Sequence, residues 1–152
     1  MTLRVLLVDD NRLIREGLRM TLEMEPDIEV VGEVADGREV LDAVGKTCPD
    51  VVCMDVNMLQ MDGIKATQQV LGVHPEIKVI GLSVHASLAI VGLLFDAGAT
   101  GYVIKSAAGA ELSQAIRQVS QGQTYLSQGL GLTGIADLER YMRRGTRGNA
   151  AS

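Results

Sequence analysis

The sequence predicts an α/β fold in which one parallel sheet is covered by helices on both faces. Strand and helix signals alternate through five rounds, the order that builds parallel sheets from strand–helix–strand units. The strand signals are short, nearly continuous apolar runs, as expected where both faces of a sheet are buried. Four of these runs also end at, or just before, polar residues able to carry chemistry: Asp9 and Asp10, Asp55, Ser83 and Lys105.

The elements follow in order. Leu3–Val8 is the first strand, closed by the acidic pair. Asn11 caps a helix whose Ile14, Leu18, Thr21 and Leu22 share one face. Pro26-Asp27 breaks it, and Ile28–Val34 is the second strand. Asp36-Gly37 turns into a helix over 38–46, with Val40, Leu41 and Val44 at helical spacing. Pro49 ends that unit, 51–54 is the third strand, and 57–63 is a loop. A helix over 64–73 turns at His74-Pro75 into a strand over 77–82. A fourth helix, 86–97, stops at Gly98, and Gly101–Ile104 is the fifth strand. The last round is a helix over 108–121, with Leu112, Ala115, Ile116 and Val119 inward and Gly122 as its stop.

A chain of 152 residues, 47% hydrophobic and 22% charged, is the size and composition of one globular domain. It has no apolar run near the ~20 residues that cross a bilayer, and its start carries no signal-peptide pattern. Cys48 and Cys53 are too few and wrongly spaced for a zinc or disulfide framework, so a reducing cytoplasm is expected. Four of the 14 Lys and Arg residues lie within 140–152, leaving ten basic against 19 acidic residues elsewhere. A body that acidic is a poor nucleic-acid surface. The basic end reads as a solvated tail.

In an open parallel sheet the carboxyl ends of the strands converge on one edge, where ligands bind. Three carboxylates, a hydroxyl and an ammonium therefore meet there, although the chain separates them. That inventory suits a divalent cation and a phosphoryl group. Taken singly, Asp9-Asp10 could cap a helix, Asp55 could open a turn, and Ser83 and Lys105 could be plain surface residues. Their coincidence at strand ends favours function. A carboxylate such as Asp55 can attack phosphorus and form an acyl phosphate, and crowded acids call for Mg²⁺ or Mn²⁺ before an anion approaches. Lys105 offers a mobile point charge and Ser83 a hydroxyl for the phosphoryl oxygens.

The segments LLVDDNRLIREGL, DVVCMDVNMLQMDGI, VIGLSVHAS and AGATGYVIKSAAGAEL together resemble the receiver domain of bacterial two-component response regulators, most of all the NarL/FixJ class. The likeness covers residues 2–126. It implies a flavodoxin-like fold with five strands in the order 2-1-3-4-5, five helices, and a C-terminal extension over 127–152. It implies phosphorylation of Asp55 by a sensor histidine kinase, with Mg²⁺ held by Asp9, Asp10, Asp55 and the backbone carbonyl of Asn57. Ser83 and Tyr102 become the switch pair, Tyr102 lying on the sheet face opposite to both its strand neighbours. Such a protein assists its own phosphorylation and dephosphorylation without being a turnover enzyme. Its output is usually a DNA-binding helix-turn-helix, for which 127–152 is too short. A non-phosphorylated pseudo-receiver remains an alternative. So does a phosphohydrolase with an Asp nucleophile, although the D-x-D motif and late acidic pair of that class are missing.

Several positions depart from the family pattern or go beyond it. Leu59 replaces the usual proline of the loop after Asp55, which loosens that loop. Val84, where many receivers have a small residue, narrows the path to Asp55, with His85 beside it at the rim. Ser106 stands where proline often follows the lysine, removing the cheap route to a cis bond. Cys53 and Met54 read as core, and His74 as a turn residue. The run 86–95 carries no charge, so its helix is apolar nearly all round, with Ile90 and Leu93 outward. That face is expected to pair with a second copy or with the chain's own extension, where Leu130, Leu132, Ile135, Leu138 and Met142 suggest an amphipathic helix. An effector segment could fill the same role, and the extension could instead simply cover the face; a homodimer through the fourth helix or the extension is the expectation.

Overall fold

Six strands form a single parallel sheet in the computed structural model, which describes residues 2–58, 62–84, 87–130, 136–140 and 143. They are β1 (Leu3–Val8), β2 (Ile28–Val34), β3 (Val51–Asp55), β4 (Lys78–Ser83), β5 (Gly101–Ile104) and β6 (Tyr125–Leu126), in the order β2-β1-β3-β4-β5-β6. Five α-helices lie between them: α1 (Arg12–Glu23), α2 (Val40–Thr47), α3 (Gly63–Val73), α4 (Leu88–Asp96) and α5 (Ala108–Ser120). Side chains cap four of the helical segments. Asn11 accepts from the Leu13 and Ile14 amides, Asp36 from Arg38, Asp62 from Lys65, and Ser87 from Ile90. The helix expected over 38–46 begins as a 3₁₀ turn at Gly37–Glu39 before α2 proper.

The expected five-stranded sheet is corrected to six. The Tyr125 amide donates to the Thr100 carbonyl and the Ser127 amide to that of Tyr102, so β6 lies parallel to β5. Two residues are too few to show a period, and this strand exists only because α5 returns the chain to an open sheet edge. Glu111 on α5 holds the segment there. It accepts from the Tyr125 hydroxyl (2.6 Å), the Ser127 hydroxyl (3.0 Å) and the Gln128 amide (3.3 Å). Burial, then the bond to Glu111, pushes the Tyr125 phenol well above its usual range.

Strand alternation sorts the interior into two layers. Val5, Leu7, Val51, Cys53, Ile80, Leu82 and Val103 meet Leu18 and Leu22 of α1 and Leu112, Ile116 and Val119 of α5. Burial pushes the Cys53 thiol up to about 12, so it acts there as a small apolar group. Leu6, Val8, Val52, Met54 and Tyr102 meet Val40 and Val44 of α2, Val70 of α3, and Val91 and Leu94 of α4. Leu138, from the helical residues 136–140, is 1% exposed within this second layer. Leu132, Ile135 and Met142, expected on the same helix, lie outside the described residues.

Candidate functional site

The strand ends place the charged residues in one alternation phase. Asp9 follows Val8, Asp55 ends β3 and Lys105 follows Ile104, so all three fall in step with the residues facing α1 and α5. Ser83 and Tyr102 fall in the other phase, toward α4. Tyr102 pairs across with Gly81, which puts it diagonal to Ser83 on the neighbouring strand. Gly81 lacks a side chain, and a methyl there would lie 2.4 Å from Leu94. Tyr102 itself is fully buried.

Asp9 and Asp55 are each only 1% exposed. The Lys105 ammonium lies 2.9 Å from Asp9 Oδ2 and 3.0 Å from Asp55 Oδ1. The Asn11 amide donates to Asp9 Oδ1 (2.9 Å) and the Asn57 amide to Asp55 Oδ1 (3.0 Å). The Asn57 side-chain amide donates to Ser83 Oγ at 3.5 Å, which ties the loop after β3 to the end of β4. Asp10 is exposed at the rim, and oxygens of Asp9, Asp10 and Asp55 all lie within 4.8 Å of one another. Among the described residues Asp55 Oδ2 is buried with no hydrogen-bond donor; Asp9 Oδ2 also lacks one in good geometry, although the nearby ammonium compensates its charge.

Burial raises the Asp55 carboxyl above the ordinary carboxylate range. The charge of Asp9 adds to that, and the Asn57 amide and Lys105 oppose it without prevailing. Burial alone would lower Lys105, but its bonds to Asp9 and Asp55 outweigh this and raise it. The two shifts agree physically: one ammonium shared by two carboxylates stays charged and leaves an acid under-compensated. A pocket with excess buried negative charge, an orphan carboxylate oxygen and an open acidic rim fits a hard divalent cation with oxygen ligands.

Gly63, at the end of the loop expected over 57–63, is part of the site. Its amide donates to the Val56 carbonyl, and a Cβ there would stand 2.2 Å from the Asp55 carbonyl oxygen. Only glycine lets α3 start against the end of β3. Arg15, which no motif of the sequence marks, donates to the Asp9 carbonyl from α1. Val84 is 56% exposed beside the pocket, and His85 and Leu59 lie outside the described residues. The peptide between Lys105 and Ser106 is trans. Leu93 projects outward from α4 at 55% exposure, whereas Ile90, expected outward, is half-buried against the core.

The paired buried acids, the shared lysine and the hydroxyl stand at the switch-point edge of a parallel sheet, where ligands bind in open α/β folds. The response regulator receiver domain matches residues 5–117, and the chain belongs to that family. It is 41% identical over 124 residues to the transcriptional regulatory protein LiaR of Bacillus subtilis (strain 168), covering 82% of this chain and 59% of that protein. It is 42% identical over 125 residues to the response regulator GacA of Pseudomonas viridiflava, with 82% and 58% covered. The crystal structure of a LuxR-family two-component response regulator from Aurantimonas sp. SI85-9A1 superposes with a TM-score of 0.82 at 36% identity, covering 86% of this chain and 94% of that one. The chain thus spans little more than half the length of the curated relatives. No described helix is long and apolar enough to cross a membrane.

Proposed function

We propose that this chain accepts a phosphoryl group on Asp55 from a phosphohistidine of a sensor histidine kinase. What carries the reading is the burial of Asp55 beside Asp9 with a single ammonium between them and Asp10 open at the rim. Mg²⁺, or Mn²⁺ in its place, would be held by Asp9, Asp10, Asp55 and the Asn57 backbone carbonyl. When bound it neutralises the crowded acids and draws charge from the phosphoryl oxygens. An Asp55 oxygen attacks phosphorus, the new O–P bond forms as the N–P bond breaks, and the imidazole nitrogen leaves with the electron pair. Lys105 then has a phosphoryl oxygen to pair with in place of a carboxylate, and the Ser83 hydroxyl donates to another. That draws Ser83 inward and lets Tyr102 reorient toward the space it leaves. Val84 narrows the approach of water and donor.

Control of transcription through a DNA-binding segment is the output that the relatives' names support. A pseudo-receiver would not need all of the acceptor, acid pair and lysine in one pocket. Intact-mass measurement with a small phosphodonor tests the reading. A single phosphoryl adduct is expected with Mg²⁺ and none in chelator, and Asp55→Asn should remain unlabelled. Equal labelling of Asp55→Asn would remove Asp55 as the acceptor, and steady hydrolysis of small phosphate esters would favour the phosphohydrolase.

A further inference from the structure

Asp9 and Asp10 share one peptide bond, and its carbonyl oxygen accepts a hydrogen bond from the Arg15 guanidinium at the start of α1. Arg15 is itself held. Its Nε lies 3.3 Å from Glu33 Oε1 on β2, and the other Glu33 oxygen takes Arg19. The Arg15 side chain is only 13% exposed, so it is a fixed donor rather than a roaming surface cation.

We infer that Arg15 is a positioning residue for the divalent-cation site, acting through the Asp9–Asp10 peptide, with Glu33 cancelling its charge. The inference rests on the cation reading of the acidic pocket. Asp9 is held many times over: its amide donates to Val34, its carboxylate accepts from Asn11, and Lys105 sits against it. Asp10 is different. It is exposed, and the peptide that precedes it sets where its Cα, the root of the carboxylate's reach, is placed. The Asp9 carbonyl and the Asp10 amide lie in one plane, so a donor that fixes the carbonyl also fixes how Asp10 leaves the chain. A guanidinium suits this because its planar fork can hold a carbonyl and a carboxylate at once. An unpaired guanidinium so close to the pocket would oppose a dication, and Glu33 removes that field while keeping the donor in place. Groups that orient ligands in this way commonly govern metal affinity by 10–100-fold.

The test titrates Mg²⁺ alone into the full chain, read by calorimetry or amide resonances, for the parent, Arg15→Ala, Arg15→Lys and Glu33→Gln, with melting temperatures recorded without metal. Arg15→Ala should weaken Mg²⁺ binding about tenfold. Arg15→Lys should recover part of the loss, since an ammonium can reach one partner but lacks the fork. Glu33→Gln should weaken binding most at low salt, where the exposed positive field is least screened. A residue that only supports the fold would lower the melting temperatures and leave the Mg²⁺ affinity of the folded variants at the parental value; that result overturns the inference. Should Arg15→Ala not fold, parental affinity in both Arg15→Lys and Glu33→Gln overturns it equally. No saturable binding by the parent would overturn the cation site, and this inference with it.

Discussion

The two faces of the sheet are held together by different forces. On the α1 and α5 side the apolar layer is rimmed by charged latches. Arg117 of α5 reaches Glu25 and Asp27 beyond α1, both at 2.8 Å, and Arg15 and Arg19 of α1 converge on Glu33 of β2. On the opposite side α4 has no charged residue before Asp96, and Val91, Leu94 and Ile90 join the apolar cluster that also holds Tyr102 and Leu138. Directional bonds fix one arrangement, whereas the hydrophobic effect is non-directional and specifies orientation less sharply. The acids and Lys105 are in phase with the latched face, and Ser83 and Tyr102 with the packed one. On the proposed function, the chemistry would be anchored to the latched face and its readout to the packed one.

Lys105, on the latched face, carries the largest expected effect. Lys105→Met keeps most of the packing but leaves two buried carboxylates without their cation. It should cost about 3 kcal/mol at neutral pH, as when one partner of a buried pair is removed. Urea unfolding should show that loss shrinking as the acids protonate, and shrinking when Mg²⁺ is added. A pH-independent loss would mean that Lys105 is only packing.

On the other face, Leu138→Ala should cost about 2–3 kcal/mol by opening a cavity against Tyr102 and α4. Amide shifts should concentrate in α4 and β5 and spare α1. Shifts spread evenly over both faces would defeat the distinction between them.

Asp55→Asn should make the metal-free protein more stable at neutral pH. The folded-state pKa of Asp55 lies above its unfolded value, mainly through burial. Its protonated form therefore favours the fold below the unfolded pKa. That advantage is lost as pH rises through the folded value, and the buried charge remains as a cost. The gain should vanish in acid and be smallest with Mg²⁺ present. A less stable variant at neutral pH would show that Lys105 and the Asn57 amide outweigh burial.

The smallest effect should come from Arg117→Ala. Its ion pairs with Glu25 and Asp27 are about one-third exposed, and such pairs contribute little. Melting should fall slightly at low salt and match the parent in ~1 M salt, where the screening length is about 3 Å. A large, salt-independent loss would mean that the guanidinium's stem, not its charge, holds the two elements.

The sequence alone carries the strand–helix alternation and the inward residues of every helix with a clear stripe, because an apolar run and a 3.6-residue stripe are local signals. Leu3–Val8, Ile28–Val34 and Gly101–Ile104 recur unchanged in the fold, and Leu112, Ala115, Ile116 and Val119 of α5 are all buried. It also determined which residues stand at the strand ends, since a run has a readable last residue. Tertiary structure decided the rest. The strand at Tyr125–Leu126 exists only by pairing with β5 and by Glu111 reaching across, neither of which leaves a pattern in two residues. Ile90 was read outward from a helix apolar on every side, where no stripe marks the inner face. Gly63 and Arg15 owe their roles to the approach of distant backbone at Asp55 and Asp9. The sharing of one ammonium by two acids likewise depends on β1, β3 and β5 ending at one edge, a distance in space that no spacing along the chain encodes.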